Sequence, residues 1–255
     1  MKEQILQYVE SLPETPYRET LIDMTKFFVP QRVDLSGVQI TGEVARDPTT
    51  GIEVALVAYL PDSEKNIERG VLSCRHLYPD FPWESRTPKQ RIEFCIKHGH
   101  HSILSHGYAT FITYAISRVC SHQYVRQNIG FRHHQLSQRA YSTSELYHIT
   151  PEAIMNDNEA ASWFNELVEE TQAFTAYTRS RGITMEDARF AALNACETQI
   201  MTTGTFEAWM HFLKVRSGAY GNPQWEIQSV AKCMWRHLLE VAPIVFNPEL
   251  MMYWS

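Results

Sequence analysis

From His101 to Gln127 the chain sets Leu104, Tyr108, Phe111, Ile112, Ala115 and Val119 three or four positions apart. That is the repeat of a helix with one apolar face, and a helix so long and so apolar needs a core to cover it. The spacing predicts a long core helix with the rest of the fold arranged around it. At 255 residues, with 44% apolar and 20% charged side chains, the chain has the length and composition to build that core. The same spacing rule predicts helices at about 158–181 through Trp163, Leu167, Thr171 and Phe174, then 185–194, 205–217 and 226–242.

Strand character is scarce. Ile52–Leu60 is short, β-branched and closed by Pro61-Asp62, which suits a buried strand, and a helix is expected over 63–76. Pro79, Pro82 and Pro88 mark a loop. Two amphipathic helices are expected at 2–12 and 20–29, split by Pro13 and Pro16, and residues 30–50 read as loop with one or two short strands. The expected organisation is an N-terminal helical and loop extension over 1–50 and a main domain over 51–255. The fold class is α+β, helix-dominated, with a small sheet and the long core helix.

Charge and cysteine usage exclude several kinds of function. A formal net charge of −6 gives no long-range attraction to a nucleic acid polymer or an anionic membrane. The apolar run Val54–Leu60 is far shorter than the roughly 20 residues a bilayer span needs. The opening Met-Lys-Glu-Gln-Ile-Leu-Gln does not read as a secretory signal. Five cysteines, odd in number and with no C-x-x-C pair, argue against a disulfide framework or a cysteine-rich zinc site and for a reducing, cytoplasmic location. His98, His100, His101 and His106 cluster, but no carboxylate stands at helical spacing to complete a metal site, and capping, packing or binding a ligand oxygen is the expected role. Trp209, Trp225 and Trp235 are expected in the core or at a subunit interface, and Cys120 and Cys196 as small buried hydrophobes.

The chemistry is expected between Ser117 and Ser144, where four arginines (118, 126, 132, 139), three histidines (122, 133, 134) and five serines crowd together. Arginine forks and hydroxyls suit bidentate recognition of a phosphate or carboxylate, and a break after a helix lets them converge on one small anion. A solvated helix end followed by a polar surface loop would have the same composition.

Motifs in order decide between these readings. The chain carries His101-Ser102, Leu104-Ser105-His106, Phe111, Ile112, Ile116-Ser117-Arg118, His122-Gln123, Val125-Arg126 and Gln135-Leu136-Ser137-Gln138-Arg139. Further on come Ala188-Arg189, Leu193-Asn194, Glu197-Thr198, Thr203-Gly204, Ala208-Trp209, His211-Phe212, Arg216 and Gln224-Trp225-Glu226-Ile227-Gln228. Together these resemble the flavin-dependent thymidylate synthases over about 52–250. The resemblance implies a homotetramer that binds FAD at subunit interfaces and methylates C5 of dUMP to give dTMP. Methylenetetrahydrofolate would be the carbon donor and NADPH the reductant, so no cysteine nucleophile is required.

Carried over by position, Gln123, Arg126, Gln135, Leu136, Ser137, Gln138, Arg139 and Gln199 would hold the nucleotide. Ser73, His106, Arg126, Gln127, Asn128 and Asn194 would contact the flavin. No metal is implied. Four departures fall on functional positions, one of them a lengthening between Arg216 and Gln224 by Gly218, Gly221, Asn222 and Pro223. The family's R-H-R reads Arg126-Gln127-Asn128, with Arg132-His133-His134 as an alternative register. The family's N-x-R reads Thr205-Phe206-Glu207. The arginine that polarises uracil aligns with Gln199, which leaves Arg126 and Gln199 as the candidate catalytic residues. Arg189 and Arg216 are left between ligand contact and salt bridge. The departures keep two other outcomes open: an enzyme retuned to another pyrimidine nucleotide (UMP, dCMP, or hydroxymethylation), and a non-catalytic nucleotide-binding or scaffolding homologue.

Overall fold

The computed structural model describes residues 44–74, 80–140 and 147–251, together with strands β1 (Asp34–Leu35) and β2 (Val38–Gln39), which pair antiparallel. The expected helices at 2–12 and 20–29 lie outside the described residues. A second sheet has the order β3-β4-β5-β7-β6. Its strands are β3 (Val44–Arg46), β4 (Glu53–Tyr59), β5 (Tyr108–Ser117), β6 (Phe131–Gln135) and β7 (Glu197–Thr205). β3 and β4 pair antiparallel with Ala45 opposite Val54, and Arg46 opposite Glu53 forms a cross-strand ion pair at 3.6 Å.

The long core helix is corrected here. Its span is a 3-10 turn at His101–His106, strand β5, and a short helix α3 (Arg118–Val125) capped by the Ser117 hydroxyl, which accepts from the Cys120 N–H. Successive residues of β5 are buried, Ala109, Thr110 and Phe111 and then Thr113 and Tyr114, so both faces are covered and the alternation that marks a half-exposed strand is lost. What remained was a dense apolar run, and Tyr108, Phe111, Ile112 and Ala115 fit a helical repeat by coincidence.

The other helices are α1 (Ser63–Ser73), α2 (Pro88–Lys97), α4 (Glu152–Met155), α5 (Asn158–Ser180), α6 (Met185–Ala188), α7 (Phe206–Arg216), α8 (Trp225–Val241) and α9 (Pro248–Met251). Helix α2 was not expected. Pro88 there begins a helix at a position where its missing N–H costs nothing, and Thr87 and Gln90 close a capping box. The expected helix 185–194 ends at Ala188 and runs into a 3-10 turn over Arg189–Ala191.

The chain divides into two compact units. The first comprises residues up to Thr113, Gln127–His133, and Met201 onward. Its core is aromatic: Trp209 meets Phe111, Phe131 and Phe212 edge-on, with centroids 5.0, 4.6 and 5.8 Å away. The Trp209 indole donates to the Ala109 carbonyl and that of Trp235 to the Phe246 carbonyl. Helix α8 lies over β3 and β4 and against α7, and from Glu226 to Leu239 all but Gln228 and Lys232 are buried. Trp209 and Trp235 are thus core, as expected. The second unit comprises Tyr114–Arg126 and His134–Ile200. Its longest element, α5, is capped by Asp157 and packs with α4, α6 and the turn at 189–191. Among the described residues no helix is long and apolar enough to cross a membrane.

Candidate active site

In the first unit, the segments that carry His106, Gln127 and Asn128 meet the start of α7, whereas the predicted flavin residues Arg126 and Asn194 belong to the second unit. Two segments dock at that helix start. The turn His101–His106 and the following Gly107 do so through backbone and side chain: the Phe206 N–H donates to the Gly107 carbonyl at 2.9 Å, and the Phe206 ring occupies the space a side chain at 107 would fill. The loop Gln127–Phe131 does so through Gly130, whose carbonyl accepts from the Thr205 N–H at 3.2 Å. Gly130 has φ +76 and lies against Ala208, so neither a left-handed backbone nor a close approach is open to a larger residue. Helix α1 presses on the first segment, with Gly70 against the His106 ring and Ser73 one turn further along. Ser73 and His106 are both exposed, as is Asn128.

His133 braces the loop from β6. One ring nitrogen meets the Gln127 carbonyl at 2.9 Å and the other the Thr202 hydroxyl at 2.9 Å. Burial lowers the His133 pKa, partly offset by the bond to Gln127. The alternative register is therefore divided: His133 is structural, Arg132 bonds the Phe131 carbonyl at 2.7 Å, and His134 is exposed. Gln127 carries a distinctive feature. Its side-chain Oε1 is buried and has no hydrogen-bond partner, on a backbone pinned at both ends of the loop. A buried amide oxygen left unpaired costs about 1–3 kcal/mol, which a ligand N–H or O–H would recover. An acceptor of this kind fits a group that carries an imide N–H, as an isoalloxazine ring does.

The second unit holds all eight predicted nucleotide residues. The Gln135 side chain donates to the Thr198 hydroxyl at 3.2 Å, the Leu136 N–H to the Gln199 carbonyl at 3.0 Å, and the Arg139 N–H to the Ser137 hydroxyl at 3.2 Å. Gln138 bonds the Cys196 thiol, which burial pushes up. Arg139 pairs with Glu186 at 2.9 Å. Gln123 and Arg126 lie on and just beyond α3, Asn194 accepts from the Val119 N–H at 3.1 Å, and Gln199 is an exposed side chain on β7.

Arg118 was assigned no role beforehand, and Arg189 was left open between ligand contact and salt bridge. Arg118 is half-buried beneath the Cys196 carbonyl, to which its N–H donates at 3.0 Å. Burial lowers its pKa, the neighbouring Cys196 opposes that, and repulsion from Arg189 lowers it further. The charges of Arg118 and Arg189 are near enough to interact, and among the described residues neither arginine is in an ion pair, in a chain of net negative charge. Two such cations suit a phosphate. The signal in sequence was the helix start Ser117-Arg118, which places the arginine in the first turn, where a helix N-terminus already favours an anion.

Three of the histidines near residue 100 pack or bond within the fold. His98 stacks on Phe94 at 4.0 Å, His101 bonds the Ile96 carbonyl at 3.1 Å, and His106 packs on Gly70. Among the described residues no group of three His, Cys, Asp or Glu could hold a metal ion.

The family model described as "Thymidylate synthase complementing protein" matches residues 55–244. A flavin-dependent thymidylate synthase of Clostridium tetani is 30% identical over 226 residues, covering 79% of this chain and 88% of that one. The chain belongs to the flavin-dependent thymidylate synthase family. A thymidylate synthase of this family from Thermococcus onnurineus is 34% identical over 212 residues, covering 78% and 81%. The one from Pyrococcus furiosus is 36% identical over 149 residues, covering 57% and 59%.

Proposed function

We propose that the chain catalyses FAD-dependent methylation of dUMP at C5, giving dTMP, with methylenetetrahydrofolate as carbon donor and NADPH as reductant. Family membership over most of the chain supports the reaction. The observation on which the site reading rests is the Arg118–Arg189 centre, which supplies the phosphate attraction that the chain's net charge does not. When bound, the flavin supplies the redox chemistry of the transfer. In this reading Gln127, Asn128, Ser73 and His106 hold its ring, and Arg126 and Asn194 are assigned to the flavin by position in the sequence alone. Arg118, Arg189 and Arg139 neutralise the nucleotide phosphate. Gln123, Gln135, Leu136, Ser137 and Gln138 line the nucleotide, and Gln199 and Arg126 address the base.

The reading includes a homotetramer acting in the cytoplasm. Supporting assembly, α5 exposes Trp163, Leu167, Phe174 and Tyr177 at helical spacing along one side. Supporting a reducing compartment, Cys74, Cys95, Cys120, Cys196 and Cys233 are all free. The family match lies within 51–255, and residues 1–50 are read as an extension.

A second reading rests on Gln199. An exposed, neutral amide on β7 both donates and accepts hydrogen bonds, so it can meet cytosine as well as uracil, and the substrate becomes another pyrimidine nucleotide. The test is turnover of purified protein with FAD, NADPH and methylenetetrahydrofolate, offered dUMP, UMP and dCMP in turn. Methylation of dUMP supports the first reading, and methylation of another nucleotide supports the second. A protein that binds nucleotide but bleaches no flavin band on adding NADPH overturns both and leaves a non-catalytic homologue.

A further inference from the structure

We infer that Glu207 is a positioning residue for the flavin contact His106, acting through Ser105, an inference that rests on the flavin reading above. His106 is held from four directions within one compact unit. Its carbonyl accepts from the Asn66 side chain on α1 at 3.0 Å. Its ring lies against Gly70, so closely that a methyl group there would come within 2.8 Å of the imidazole. The next residue, Gly107, accepts from the Phe206 N–H at 2.9 Å. The preceding residue, Ser105, donates its hydroxyl to the Glu207 carboxylate.

Of these four restraints, only the last joins two side chains, and it connects the tip of the turn to α7. Ser105 has one hydroxyl proton to give, and an ionised acceptor makes that bond about twice as strong as a neutral one. Glu207 stands second in α7, where the helix dipole favours a carboxylate. The 3-10 turn bearing Ser105 and His106 is stiffened at its far end by Ile103 and Leu104, which are buried, whereas Ser105 and His106 face solvent. The apolar anchor thus fixes where the turn lies, and Glu207 fixes which way its exposed end points.

The test is titration of the full-length protein with FAD, read by the visible flavin band, with thermal unfolding alongside. Glu207→Ala and Ser105→Ala should each weaken FAD binding about tenfold, the loss expected for one charge-assisted hydrogen bond. The double variant should be no worse than either single one. Glu207→Gln keeps an acceptor and should restore most of the affinity. His106→Ala should lose as much as Glu207→Ala, and adding Glu207→Ala to it should change nothing further. The position of the flavin band should shift in Glu207→Ala, a change that a general loss of stability would not produce. Undiminished binding by Glu207→Ala, or losses that add between Glu207→Ala and His106→Ala, overturns this inference alone. Failure of the unaltered protein to bind FAD overturns the flavin reading, and this inference with it.

Discussion

Helices α8 and α5 are the two longest among the described residues, and both were legible from the same helical spacing of apolar residues. Their surroundings are opposite. Helix α8 is enclosed from Glu226 to Leu239, and it buries even Arg236 and His237. Helix α5 buries only Thr175 and Thr178 and leaves Trp163 70% exposed and Tyr177 64% exposed. Periodicity reports that a helix has an apolar side. It does not report whether the chain itself covers that side or leaves it for another copy.

The contrast can be broken most forcefully from within α8. Trp235→Ala removes a fully buried indole and its hydrogen bond to Phe246 and should cost about 3–5 kcal/mol in urea unfolding. A loss below about 1 kcal/mol would mean that α8 is not the core element described. A second test uses His237, which is buried, bonded to the Val54 carbonyl at 3.1 Å, and held down to about 4 by burial. Its folded value lies below the ordinary 6.5, so unfolding takes up a proton whenever the pH is between the two. Stability should be complete above about pH 6.5 and should fall by about 3 kcal/mol as the pH drops towards 4. Urea midpoints across that range check this, and a His237→Gln variant should lack most of the slope.

On α5 the expected responses are of a different kind. Leu167→Glu should leave the fold stable within about 0.5 kcal/mol, as for an exposed position, yet weaken self-association about 100-fold, as at a buried interface residue. Sedimentation of the variant beside the unaltered protein decides it, and an unchanged mass removes α5 from the interface. The smallest effect is expected at the helix start. Asp157 accepts from the Glu159 and Ala160 N–H groups at 3.1 and 3.0 Å, so Asp157→Ala should cost about 1 kcal/mol in the same unfolding assay.

Strands were harder to read than helices, for reasons visible in β5 and β7. In β5 both faces are covered, and the β-branched and aromatic content of Tyr108–Ile116 was a better guide than spacing. In β7 the alternation is regular, with Thr198, Ile200 and Thr202 buried and Gln199 and Met201 exposed. Threonine supplied much of the buried face, so a search for apolar alternation passed over it. The site was legible as a segment and only partly as residues. Crowding of arginines singled out Ser117–Ser144, but Arg189 follows α6, and its electrostatic coupling to Arg118 arises only in the folded chain. The orphaned Gln127 oxygen is likewise a product of burial and has no counterpart in a string of letters.

Ala115 sits in the left-handed region at φ 53 in the middle of β5, and the Glu197 carboxylate accepts from its N–H. Valine and isoleucine, favoured elsewhere in the strand, are the residues least able to adopt that backbone, while glycine and asparagine reach it readily. The substitution profile of this position is therefore inverted relative to its neighbours. A library that rewards β-formers along Tyr108–Ser117 should find one site where the preferred alphabet is that of a turn.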